Sequence, residues 1–540
     1  MEHSYTIDKI EWERVLLKIH VSCDNNADFF FAGKNKERYR IDSERFGDGY
    51  ILKINISCVH NRHFLDNGRW HIIAMREDRE TRCQVQNKLA YRLEDKARIF
   101  RYAEEQMAYT VSFGCELIGD DRLILYIDSY FMKENTKWKK RKYVSEVRSI
   151  GGKTKRILMS MAALIIAAVY KFLRAIYPAK GDRILLMSET HDYIWGNLKA
   201  IDDELRRRKI DDKYKVSYSF TNRSGIKERG VDIFQWIKIA AIIAKQDYIF
   251  VDDYAKIFTI LDISEKTKLI QVWHAGIGFK SIGYSRFGME GSPFPENSSH
   301  KKYSKVIVAS EALKEVYAEA FGIDQKDCLP FGLPRLQGFM DEDEVAHERK
   351  TFYEKYPELK GKTIVLFAPT FRGSSQIDAY YNYGELDLSE IYRWCEKKNS
   401  AWLFKMHPFI NKNITIPEEY SDRILQLNSK SDINKLYYIT DILITDYSSS
   451  YYEYALTGGA CIFYMPDKDI YEITRGVHRS VEANAPGKIC ESFSELMGAL
   501  YKEDYEIDKT KKFASENSYE KHVGAAGRII DEIILGEKHE

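Results

Sequence analysis

Four short stretches carry side chains suited to chemistry on a phosphate. Trp273-His-Ala-Gly-Ile-Gly-Phe-Lys280 places His274 beside Gly276 and ahead of Lys280, and Pro369-Thr-Phe-Arg372 offers Thr370 and Arg372. Lys405-Met-His407 adds a second histidine. In Ile442–Glu453, "ILITDYSSSYYE", an apolar run stops at Asp446, and Ser448, Ser449 and Ser450 precede Glu453. Imidazoles move protons near neutral pH, and a guanidinium fork matches two phosphate oxygens. Serines before a helix sit where unpaired N–H groups attract anions. Such a set suits a phosphorylated substrate and a proton-transfer step. Each residue has a plainer reading alone: a structural histidine at a strand end, an ion-paired arginine, an aspartate or serine that only caps the turn.

The elements that must hold these residues are legible as alternating strands and helices. From residue 181, short apolar runs at 183–188, 215–220, 247–253, 268–275 and 305–310 are separated by helical segments. A second set follows at 363–370, 402–408, 441–449 and 460–465. Nearly continuous apolar strands with helices between them predict parallel sheets covered on both faces. Two Rossmann-like units, 181–340 and 341–540, are expected to face each other across a cleft. Ligands bind beyond the carboxyl ends of such strands, where the residues above fall. Residues 1–132 instead alternate with period two, as in Val15, Leu17, Ile19 and Val21. They predict an antiparallel, β-sandwich-like accessory domain.

The segment 133–180 departs from this globular pattern. Lys133–Arg156 holds ten Lys or Arg against two Glu, and the apolar run Ile157–Tyr170 follows directly. Fourteen residues fall short of the roughly twenty that span a bilayer. A helix over 157–177 with basic flanks is expected to lie in the headgroups of an anionic leaflet. The plainer alternative is a buried connecting helix.

Composition removes other classes. The net charge of +1 gives no general attraction to nucleic acid. The eight scattered cysteines suit free thiols better than disulfides or zinc. There is no GxxxxGK[ST] loop and no GxGxxG after the first strand, so neither a P-loop NTPase nor a nicotinamide enzyme is expected. No cofactor and no metal site is indicated, and the amino terminus has no signal-peptide core.

The motifs WHAGIGFK, "FGLPRLQGFMD" (331–341), "FAPTFR" (367–372), "FKMHP" (404–408), "DILITDYSSSYYEYAL" (441–456) and "IFYMPDKDIYEITRG" (462–476) resemble the CDP-glycerol glycerophosphotransferases, the bacterial teichoic acid and capsule poly(alditol phosphate) synthases. The resemblance runs from about 183 to 535, and "SETHDYIWGN" looks like the family's opening strand with Asn197. It implies a GT-B fold, with a last helix near 519–535 packing across the units. It also implies transfer of glycerol phosphate or ribitol phosphate from a CDP-alditol to a hydroxyl of a lipid-linked polymer, with release of CMP. The enzyme would sit on the cytoplasmic face of the membrane as a peripheral protein, and a homo-oligomer is compatible with this.

In that reading His274 is the base, and His407 contacts the diphosphate or protonates the leaving phosphate. Thr370, Arg372, Lys405, Asp446, Ser448, Ser449 and Ser450 bind the donor, and Glu453 is either structural or a hydroxyl partner. Asn197, Gly276 and Lys280 are acceptor-side candidates. Many members read WHGTPLK where this chain is one residue longer, so its acceptor side is expected to differ. Two alternatives are a GT-B glycosyltransferase using a nucleotide sugar and a non-catalytic membrane scaffold.

Overall fold

The computed structural model describes residues 4–23, 25–34, 36–102, 107–119, 122–132, 150–221, 233–289, 292–295, 298–373 and 378–537, with side chains of 150–158 left aside. Val15, Leu17, Ile19 and Val21 are all buried, as their alternation requires. They belong to an eleven-stranded sheet built over residues 6–132. This sheet is not two separate stacked layers. Gly68–Arg76 pairs with Asp28–Ala32 on one edge and with Arg122–Met132 on the other, so the sheet closes on itself. Period-two burial is identical for a sandwich and a closed sheet, because each hides one face. One pairing, Thr6–Glu13 with Gln84–Val85, is parallel.

The closed sheet is fastened to the unit that follows. Arg14 meets buried Glu319 through two bonds of 2.8 and 2.9 Å. Arg62 reaches Asp327 at 2.7 Å and the carbonyls of Lys301 and Tyr303. Phe64 packs on Tyr284 and Phe287.

Two parallel six-stranded sheets form the rest. Counted along the chain, the first has strand order 2-1-3-4-5-6 and the second 3-2-1-4-5-6. Both orders reverse direction beside their first strand, and the crevice at that switch point is where α/β sheets take ligands. In the first sheet it lies between Arg183–Ser188 and Tyr248–Val251; in the second, between Thr363–Phe367 and Ile442–Thr445. Past their first residues these strands are buried, which explains their nearly unbroken apolar character.

The chain passes between the units twice. After the first passage, near Gln337, it builds the second sheet; it then returns so that Ala526, Ile529, Ile530 and Ile533 pack with Leu198, Ile201 and Ile270 of the first unit. Tyr519 Oη donates to the carbonyl of Gln337 at 2.8 Å, so the passages lie side by side.

The polybasic stretch 133–149 lies outside the described residues. The helix after it spans Ile150–Ile176, and Met159–Ile176 is long and apolar enough to cross a membrane by length and composition. It is longer than the sequence reading gave it. Ile166 and Tyr170 are buried against the first unit, and Arg174 donates to the carbonyls of Ala244 and Gln246. The opposite face leaves Met161, Leu164, Ile165 and Phe172 exposed, and Phe234 of the neighbouring helix Ile233–Ile243 is exposed too.

Candidate active site

Beside the first switch point, Trp273 adopts a left-handed conformation (φ 46°) two residues after the strand Lys268–Gln271. A non-glycine residue holds that shape only when its surroundings enforce it. Here Asn197 Nδ2 donates to the carbonyls of Val272 and Trp273, and Asn197 Oδ1 accepts from Arg335 N–H. Arg335 Nε donates to the His274 carbonyl, and its terminal nitrogen pairs with Glu453 of the second unit. The result fixes the His274 ring. Its Nδ1–H donates to the Asp252 carbonyl at 3.3 Å, with the Asp253 carboxylate 3.8 Å away. The other nitrogen, Nε2, is thereby left as the proton acceptor of the neutral ring.

This arrangement changes three expectations. Asn197 is 2% exposed and spent on the backbone, so it does not face an acceptor. Glu453, 3% exposed, belongs to the Arg335 link and not to a ligand. Gly276 is an interface residue: a Cβ there would stand 2.2 Å from the Tyr452 ring, and its carbonyl accepts from Tyr317 Oη.

At the second switch point Arg372 is not an open phosphate clamp. Nε and one terminal nitrogen bind Asp467 at 2.5 and 2.9 Å, and the other binds Asp446 at 2.8 Å and the Thr370 carbonyl at 3.1 Å. Asp446 is 0% exposed and also accepts from Thr370 N–H at 2.8 Å. Burial opposes the charge on Arg372, but Asp446 and Asp467 outweigh it and hold its pKa above the usual value. Thr370 and Arg372, both part-buried, and buried Asp446 therefore form a bonded frame at the site. Lys405 is likewise 8% exposed, donating to the Ser429 carbonyl, and burial lowers its pKa.

Above that frame three groups gather around the Phe371 ring. His407 lies 4.8 Å from it, Lys280 Nζ 5.8 Å and the Arg475 guanidinium 5.7 Å. Lys280 thus belongs with the second unit and not with the acceptor side, because its strand-like segment bridges to Val477. Burial, with Arg475 and Arg286 nearby, lowers its pKa to about 8. His407 Nδ1 accepts from Phe409 N–H at 3.1 Å, so Nε2 carries the proton of the neutral ring. Burial, then Lys405 and Lys280, push its pKa down to about 4. A ring so resistant to charging is an N–H donor at neutral pH and a poor source of a second proton.

Ser448, Ser449 and Ser450 line the turn after Asp446. The Ser448 and Ser450 hydroxyls are 2.8 Å apart, and Ser450 N–H donates to Ser448 Oγ. Ser450 makes no side-chain cap bond to the helix Tyr451–Ala455, so the simple cap reading does not apply to it. Gly278 comes close to Ser449, where a Cβ would stand 3.0 Å from its Cα. Three residues beyond the sequence reading adjoin the site: Arg475, Asp253 and His191, whose pKa feels both Asp253 and His274. His191 and Arg475 lie within quoted family stretches, and all three fall one to three residues past a strand or helix end.

Residues 169–535 match the family described as CDP-Glycerol:Poly(glycerophosphate) glycerophosphotransferase. The teichoic acid ribitol-phosphate polymerase TarL of Staphylococcus aureus is 31% identical over 549 residues, covering 95% of both chains. Its alignment thus takes in most of the amino-terminal sheet as well. TarK of the same organism is 34% identical over 69% of this chain and 72% of its own. The solved structure of the wall teichoic acid polymerase TagF has a TM-score of 0.51 at 18% identity, over 72% of this chain and 98% of that one. That likeness is one of fold, the two-unit α/β arrangement of GT-B type. By its match across 169–535, this chain belongs to the CDP-glycerol:poly(glycerophosphate) glycerophosphotransferase family.

Proposed function

We propose that this protein transfers an alditol phosphate from a CDP-alditol to a hydroxyl of a teichoic acid or capsule chain, releasing CMP. Family membership supplies the donor class. The observation that carries the chemistry is the opposite setting of two imidazoles, His274 with Nε2 open to accept a proton and His407 with Nε2–H set to donate a hydrogen bond to the diphosphate. The acceptor hydroxyl gives its proton to His274, its oxygen bonds to the β-phosphorus, and the bond to the CMP oxygen breaks. Asp253 stabilises the imidazolium that forms. Lys280, Arg475, His407 and the Ser448–Ser450 turn hold the diphosphate and take up the charge arriving on CMP. Residues 181–340 are then the acceptor-side unit and 341–540 the donor-side unit, with 1–132 an accessory domain.

Ribitol phosphate is favoured as the group transferred, because the relative matched along 95% of both chains is a ribitol-phosphate polymerase. Incubation with CDP-ribitol and with CDP-glycerol, separately and with acceptor, tests this by CMP release and product mass. No CMP from either donor would remove the assignment; faster release from CDP-glycerol would remove the ribitol preference.

The lowered pKa of Lys280 gives a pH prediction. Its ammonium is present at pH 7 and is lost as pH passes about 8, so donor binding weakens on the alkaline side. The KM for the CDP-alditol should rise about fivefold or more from pH 7 to pH 9, the scale of one hydrogen bond to a charged group. Lys280→Arg, which keeps its charge, should flatten that rise; an unchanged profile would show that Lys280 does not meet the donor.

The exposed face of Ile150–Ile176 supports a peripheral seat on the cytoplasmic leaflet, since the opposite face is bonded to the first unit. Replacing Leu164 and Phe172 together with serine should weaken binding to anionic vesicles about a hundredfold, from the apolar area lost. Co-sedimentation that is unchanged, or absent in the parent protein, would refute this anchor.

A further inference from the structure

We infer that the segment Thr190–Gly196, with Tyr193 and Trp195 as its platform, seats the uncharged, hydroxyl-rich terminal unit of the acceptor chain. This rests on the assignment of the acceptor to the first unit. The segment follows the strand Arg183–Ser188 at the first switch point. Tyr193 is 61% exposed and Trp195 36%, although both lie at the edge of the sheet where ligands bind. The His191 ring bridges them, with ring centres 5.9 Å from Tyr193 and 4.6 Å from Trp195. Asn197, two residues past Trp195, donates to the Trp273 carbonyl at 2.7 Å, which puts the platform beside His274. Exposed rings gathered at a reacting group are the lining of a site more than of a core.

Charge decides which part of the acceptor fits. The neighbours of His191 and His274 are Asp192, Asp252 and Asp253. Asp252 is buried against Ser188, whereas the Asp253 side chain is 28% exposed and is the carboxylate within reach of a hydroxyl. Carboxylates repel the phosphodiesters of a growing chain but accept hydrogen bonds from hydroxyls. The cations stand instead around Phe371, where the donor's phosphates belong. Burial keeps His191 below its ordinary pKa, so its ring remains neutral and able to bond a hydroxyl. A polyol end therefore lays its C–H face on the aromatic rings and turns its hydroxyls toward the carboxylates and His274.

The test is titration calorimetry of the full chain with a short synthetic oligo(ribitol phosphate) ending in a free hydroxyl. Trp195→Ala should weaken its binding about tenfold and leave CDP-ribitol binding unchanged, while Trp195→Phe keeps the affinity. Inorganic phosphate should not compete at this seat. A Trp195→Ala protein of parental melting temperature that binds the oligomer normally would overturn the proposal, as would a parent chain that does not bind it. Oligomer binding that depends on Trp195 without CMP release from either donor would leave the seat standing and remove the proposed reaction. CMP release with Trp195-independent binding would do the reverse.

Discussion

His274→Ala is expected to cut CMP release from a CDP-alditol by about two to four orders of magnitude, the loss typical of a missing general base. The melting temperature should hardly move. The side chain is 40% exposed and its bond to the Asp252 carbonyl is a long 3.3 Å, so its removal opens no core. The KM for the donor should also stay near the parental value, because the cations gathered around Phe371 are untouched. A folded variant turning over near the parental rate would make His274 structural and leave the reaction without its base.

Arg372→Ala should act in the opposite way, on the fold before the chemistry. The guanidinium neutralises Asp446, which has no access to water, and Asp467, and it lies over the rings of Tyr381, Tyr447 and Tyr471. Removing one member of a buried pair leaves an uncompensated charge, at a cost of about 3–5 kcal/mol. The second unit should therefore melt at a markedly lower temperature. Adding Asp446→Asn should restore part of the loss, since it removes the orphaned charge. If Arg372 instead gripped the donor directly, Arg372→Ala would melt normally and show only weakened CDP-alditol binding. Melting curves together with donor titration separate the two outcomes.

This contrast shows how far sequence alone reaches. Apolar runs that end in polar residues are local patterns, so the two parallel sheets and the ends of their strands were legible, and with them His274 and His407. What a side chain does at a strand end depends on partners far along the chain. Arg372 finds Asp467, and Glu453 finds Arg335, across separations that no spacing rule encodes. Lys280 reads as part of the first unit because its segment begins there, yet its strand-like bridge is to Val477. Asp253 carries no motif of its own, and Arg475 stands near the end of a longer one whose spacing says nothing of its partners. Closure of the amino-terminal sheet was hidden for another reason, since burial of alternate residues is blind to how a sheet's edges meet.

The attachments between the two large units carry a mechanical consequence. The side-by-side passages at Gln337 and Tyr519 would by themselves allow a clamshell to swing about the line they define. The segment 276–281 adds a fastening elsewhere: Ser281 N–H donates to the Gly476 carbonyl at 3.0 Å, His478 N–H to the Phe279 carbonyl at 2.9 Å, and Gly276 presses on Tyr452. A door held at its latch as well as its hinges resists opening. The stretch that follows His274 is thus bolted to the wall that carries Arg475, and the gap between the units is held to one width. In the reaction proposed above, substrates would enter lengthwise along that slot with the two units still fastened.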